Sequence, residues 1–139
     1  MNMNFIEHIG IAVKSLDSSI PTFEKMLGVT CYAIEEVKDQ YVKTAFFLVG
    51  ETKIELLEST NPDGPIGKFI EDKGEGVHHI AFAVDNVNDE LATAKNLGFR
   101  LIDQIGRDGA EGMEIGFLNP KKTNGILIEL CSKREENSD

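Results

Sequence analysis

The sequence predicts an α+β fold of two tandem βαβββ modules, forming a curved mixed eight-stranded sheet with helices on its outer face. Three observations predict it. His8-Ile9-Gly10-Ile11-Ala12-Val13 reappears as His79-Ile80-Ala81-Phe82-Ala83-Val84. Each copy runs into a helix-like stretch that ends at a glycine, Gly28 or Gly98. Further on, Lys53-Ile54-Glu55-Leu56-Leu57 is answered by Leu127-Ile128-Glu129-Leu130-Cys131.

The elements follow in chain order. Residues 6–13 alternate, with Ile9, Ile11 and Val13 on one face and His8, Gly10 and Ala12 on the other, as a strand requires. Leu16, Ile20, Phe23 and Leu27 recur at helical spacing; Pro21 is read as lying in the first turn, and Gly28 closes the helix. Strands are expected near 30–37, 42–49 and 52–58, the last two joined at Gly50-Glu51. A connector over 61–76 opens with Asn61-Pro62-Asp63-Gly64-Pro65 and holds a short amphipathic helix bearing Ile66, Phe69 and Ile70. The second module begins at Val77 with a strand over 77–84. A helix near 87–97 turns Val87, Leu91 and Ala94 inward, and strands near 99–104, 112–118 and 125–131 complete the module. The 139 residues are expected to form one domain: module one about 5–60, connector 61–76, module two about 77–132 and a frayed tail at 133–139.

Composition narrows the function classes. A formal net charge of −10 argues against nucleic acid, whose phosphates need clustered Lys and Arg. No apolar run approaches the roughly 18 residues of a membrane span, so no membrane partner is expected. The N-terminus lacks the pattern of a signal peptide, and Cys31 and Cys131 form no spaced framework. A cytoplasmic protein with reduced thiols is the expectation. Lys121 and Lys122, in a Pro-Lys-Lys loop, are the candidate groups for an anionic ligand; the alternative is a pair of solvated turn lysines.

The alternation also sets where the polar residues point. His8 and His79 each lie on a strand face of small residues, and Glu55 and Glu129 project away from Ile54/Leu56 and Ile128/Leu130. A lone histidine on a strand is ordinarily structural. Recurrence of both residue types at equivalent places points instead to a metal cleft held by His8, Glu55, His79 and Glu129. Two imidazoles and two carboxylates suit cobalt, nickel, zinc or manganese. The repeat places His79, not its neighbour His78, opposite His8.

These residues resemble the vicinal oxygen chelate (glyoxalase/bleomycin resistance/dioxygenase) superfamily over nearly all of 5–131, and within it the methylmalonyl-CoA epimerases. The likeness is carried by Pro65-Ile66-Gly67-Lys68-Phe69-Ile70, Gly74-Glu75-Gly76-Val77-His78-His79-Ile80-Ala81-Phe82, Gly109-Ala110-Glu111-Gly112, Phe117-Leu118-Asn119-Pro120-Lys121 and Asn124-Gly125-Ile126-Leu127-Ile128-Glu129-Leu130. The resemblance implies proton transfer at the α-carbon of a methylmalonyl thioester through a metal-stabilised enolate. It makes an acyl-CoA the partner, His8, His79 and Glu129 metal ligands, and a homodimer the expected assembly. Glu55 stands where the family has Gln or Glu near the ion. Glu129 also matches one of the family's two acid/base carboxylates.

The chain departs from the family at the second. Thr44, in Gln40-Tyr41-Val42-Lys43-Thr44, stands where some epimerases have that glutamate, which leaves Glu55 as one candidate. Asn119 replaces a histidine often found before Pro-Lys. Two alternatives follow from the same resemblance. Glyoxalase I uses an almost identical ligand set, whereas a sequestering protein of this fold would lack the ligands.

Overall fold

The computed structural model describes residues 1–134. The elements run β1 (Phe5–Ala12), α1 (Leu16–Leu27), β2 (Ala33–Val37), β3 (Val42–Val49), β4 (Thr52–Ser59), α2 (Pro65–Lys73), β5 (Gly76–Ala83), α3 (Val87–Asn96), β6 (Arg107–Asp108), β7 (Met113–Leu118) and β8 (Ile128–Lys133). The βαβββ order therefore occurs twice, with α2 as the connector helix. The eight strands form a mixed sheet, ordered β2-β3-β4-β1 in the first module and β5-β8-β7-β6 in the second. The chain divides into two compact units, one of His8–His79, the other of Met1–Glu7 with the chain from Ile80 onward.

In the His8–His79 unit, β1 runs parallel to β4, and β2, β3 and β4 are joined antiparallel. Ser15 caps α1 by accepting a hydrogen bond from the Ser18 N–H, and Gly28 ends it in the left-handed conformation that favours glycine. Pro21 falls in the second turn rather than the first, because the helix starts at Leu16. It removes one backbone donor from the helix there. Helix α1 covers the face carrying Val13, Ala45, Phe47 and Leu56, with Ile20, Phe23 and Leu27 packed onto them. On the opposite face, Ile66, Phe69 and Ile70 of α2 pack on Ala12, Val42 and Leu57. Gly67 lets this helix close: a β-carbon there would meet the Pro62 backbone at 2.7 Å.

The other unit repeats the plan. Strand β5 runs parallel to β8, and β7 lies antiparallel to β8 and β6. Asn86 caps α3 through its side chain, accepting from Asp89 N–H at 2.9 Å. Val87, Leu91 and Ala94 are fully buried on Val84, Leu118 and Leu130.

Two expectations change. The strand expected over 99–104 does not form; Leu101 makes one isolated bridge to Leu118. The Asp103 carboxylate accepts the Phe117 N–H at 2.8 Å, so a side chain takes the place of a ladder partner on β7. The pairing strand is the short β6 instead. Two residues of the expected frayed tail are held in place: Lys133 ends β8, and the Arg134 guanidinium donates to Asp108. Residues 135–139 of that expectation lie outside the described residues.

Candidate metal centre

Register puts the two glutamates at equivalent stations. Gly10, two residues after His8, is paired with Glu55, and Ala81, two residues after His79, is paired with Glu129. On the other side, Phe46 faces Glu55 and Phe117 faces Glu129. Cross-strand partners share a face, so each carboxylate stands on the side away from its helix, flanked by a phenylalanine and a small residue.

In the His8–His79 unit these stations bring three of the expected residues together. His8 Nε2 lies 3.0 Å from His79 Nε2, and the rings meet edge to face. His8 Nδ1 lies 3.1 Å from Glu55 Oε2. All three side chains are buried, at 5–6% exposure, which makes an unsupported arrangement of such polar groups costly. His78 adds a fourth link: its Nδ1 is 2.9 Å from His79 Nδ1, and its ring rests edge-on against Phe69 of α2. The line of groups is thus Glu55, His8, His79, His78.

Gly10 makes room for this line. A β-carbon at position 10 would fall 2.3 Å from Cε1 of His79 and 2.8 Å from its Nε2. The small residue beside His8 is therefore a cradle for the second imidazole.

The donor set fits a divalent ion. Two imidazole nitrogens bound to one ion at about 2.1 Å lie about 3.0 Å apart at a right angle and about 3.4 Å apart at the tetrahedral angle. The observed Nε2 pair matches the first. Without an ion, the same separation is a hydrogen bond in which one ring donates and the other accepts. Glu55 supports the ligand role of His8, since a carboxylate accepting Nδ1–H leaves Nε2 as the lone-pair nitrogen. Among the described residues, His8 and His79 both belong to clusters of metal-ligating side chains.

The remaining expected residues belong to the other unit. Glu129 is buried on β8 in the other unit, at 4% exposure. Lys121 and Lys122 are exposed in a 3-10 turn, Pro120–Lys122, capped by Asn119, whose side chain accepts from Lys121 N–H at 2.9 Å. Spacing along the chain did not mark the cradle role of Gly10 or the contact of His78 with His79. The signal for Gly10 was a small residue between His8 and Ala12 on the strand face away from α1.

Comparisons with known proteins point one way. Residues 7–117 match the Glyoxalase/Bleomycin resistance protein/Dioxygenase superfamily. The chain is 41% identical to the uncharacterized protein YqjC of Bacillus subtilis, over 95% of this chain and 94% of that one. It is 32% identical to the mitochondrial methylmalonyl-CoA epimerase of Homo sapiens, over 93% of this chain and 74% of that one. Among solved structures, a Streptomyces coelicolor methylmalonyl-CoA epimerase variant in complex with 2-nitronate-propionyl-CoA superposes with a TM-score of 0.92 at 33% identity, over 99% of this chain and 100% of that one. The chain belongs to the glyoxalase/bleomycin resistance protein/dioxygenase superfamily, alongside the methylmalonyl-CoA epimerases.

Proposed function

We propose that this chain is a metal-dependent methylmalonyl-CoA epimerase, an isomerase that moves the α-proton of the acyl thioester between its two faces. The observation that carries it is the buried Nε2–Nε2 pair of His8 and His79, on a chain about one-third identical to epimerases along nearly its whole length. One solved relative is in complex with methylmalonyl-CoA itself. In this reading His8, Glu55, His79 and Glu129 hold the ion, with cobalt, nickel, zinc or manganese as the candidates. When bound, a divalent ion lowers the energy of negative charge that develops on substrate oxygens.

The chain's own residues do the rest. Glu129 accepts the α-proton, and its burial keeps water from competing for that proton. Glu55 keeps the His8 ring in one orientation through Nδ1 and is one candidate for the second proton carrier. Lys121 and Lys122 offer exposed ammonium groups to the phosphates of the CoA moiety. The protein is read as a cytoplasmic homodimer.

The test is solvent deuterium incorporation into methylmalonyl-CoA, comparing metal-free protein with protein given cobalt. Metal-dependent exchange at the α-carbon together with epimerisation is expected. Absence of exchange in protein that has bound cobalt would end the epimerase reading. Turnover of the methylglyoxal hemithioacetal would then favour the glyoxalase chemistry.

A further inference from the structure

Each imidazole of the His8–His79 pair has a second nitrogen, and what that nitrogen meets decides whether the first is free to bind an ion. When Nε2 of a neutral ring gives its lone pair to a metal, the ring's one proton sits on Nδ1. His8 then donates Nδ1–H to Oε2 of Glu55, 3.1 Å away. His79 needs an acceptor too, and its Nδ1 lies 2.9 Å from Nδ1 of His78.

That contact ties two tautomers together. A hydrogen bond between two Nδ1 atoms takes a proton on one and a lone pair on the other. With His79 bound to an ion through Nε2, the proton is on His79, so His78 accepts at Nδ1 and carries its own proton on Nε2. Whatever else Nε2 of His78 meets, it meets as a donor. The two ligands thereby differ in their support: a carboxylate behind His8 and an imidazole behind His79.

The surroundings hold His78 in place for this. Its half-buried ring meets Phe69 of α2 edge to face, with centroids 5.0 Å apart and planes at 83°. Phe69 in turn packs with Ile66 and Ile70 onto Ala12, Val42 and Leu57, so the ring it supports is tied to the core of the same unit. His79 is close-fitted on the other side, where a β-carbon at Gly10 would fall 2.6 Å from its Nδ1. The turn of a histidine ring about its Cβ–Cγ bond is only weakly restrained by the side chain itself. A hydrogen bond at Nδ1 removes that freedom and aims Nε2.

We propose that His78 is the positioning residue of His79, accepting its Nδ1–H and so keeping the lone pair on the nitrogen that faces His8. The proposal rests on the metal-dependent reading of this site. Packing against Phe69 is the competing role for the same ring, and two substitutions separate the roles. His78→Asn puts a carbonyl oxygen close to where Nδ1 stands and gives up the ring. His78→Phe keeps a ring against Phe69 and gives up the acceptor.

The test is calorimetric titration of the full chain with zinc. His78→Asn is expected to bind within about threefold of wild type, and His78→Phe about 10–100-fold more weakly. Wild-type affinity in His78→Phe, or equal loss in the two variants, would overturn the role. Long-range 1H–15N NMR spectra of zinc-loaded wild type make the test independent of how the variants fold. They should show the proton on Nδ1 of His79 and on Nε2 of His78. A proton on Nδ1 of His78 in that spectrum would overturn the role and leave the epimerase reading standing. A wild type that takes up neither zinc nor cobalt would remove the metal centre and the role of His78 together.

Discussion

Gly10 and His79 are in contact so close that no other residue type fits at position 10 without moving the ring. A β-carbon there would lie 2.3 Å from Cε1 of the imidazole. The ring can swing aside, but only by giving up its 3.0 Å approach to His8. Gly10→Ala is therefore expected to fold, yet to bind cobalt about 10–100-fold more weakly, the usual cost of misplacing a ligand. Isothermal titration with cobalt reads this directly, and wild-type affinity would show that the ring has another stable position.

Glu55 separates two roles. If it orients His8 through Nδ1, Glu55→Gln keeps an acceptor at that nitrogen and should retain more metal affinity than Glu55→Ala. The alanine variant is expected to lose about 10–100-fold in affinity. Equal losses in the two variants would mean that the negative charge, not the hydrogen bond to His8, is what matters.

Glu129 is buried on β8 and assigned to the proton. Glu129→Ala should lower turnover by several orders of magnitude with an unchanged circular dichroism spectrum, since it removes base and ligand together. Near-wild-type rates would sink the assignment.

Leu91 tests the packing that supports the second module. It is fully buried on α3 against Leu118 and Leu130 and also touches Gly116, where a β-carbon would meet it at 2.8 Å. Leu91→Ala should cost about 2–5 kcal/mol in urea denaturation, with no change in the m-value. A loss under 1 kcal/mol would mean that the site collapses around the smaller residue.

Legibility varied along the chain for physical reasons. The period-2 pattern marked β1 because Ile11, on one side, packs under α1 and the other side carries small residues. Phe99 and Leu101 misled because they pack on the core without a backbone ladder, and burial alone makes a short apolar segment look like a strand.

By itself, the sequence determined the duplicated βαβββ plan, the faces of the main strands and the pairing of a histidine with a glutamate in each module. These are local properties, set by residue period and by repetition. Tertiary structure alone decided that the His8 and His79 nitrogens meet at 3.0 Å, that Glu55 sits on the far nitrogen of His8, and that Gly10 makes room for the second ring. Those facts depend on strand register and on which atoms of neighbouring side chains meet, and neither is written in the spacing of residues along one chain.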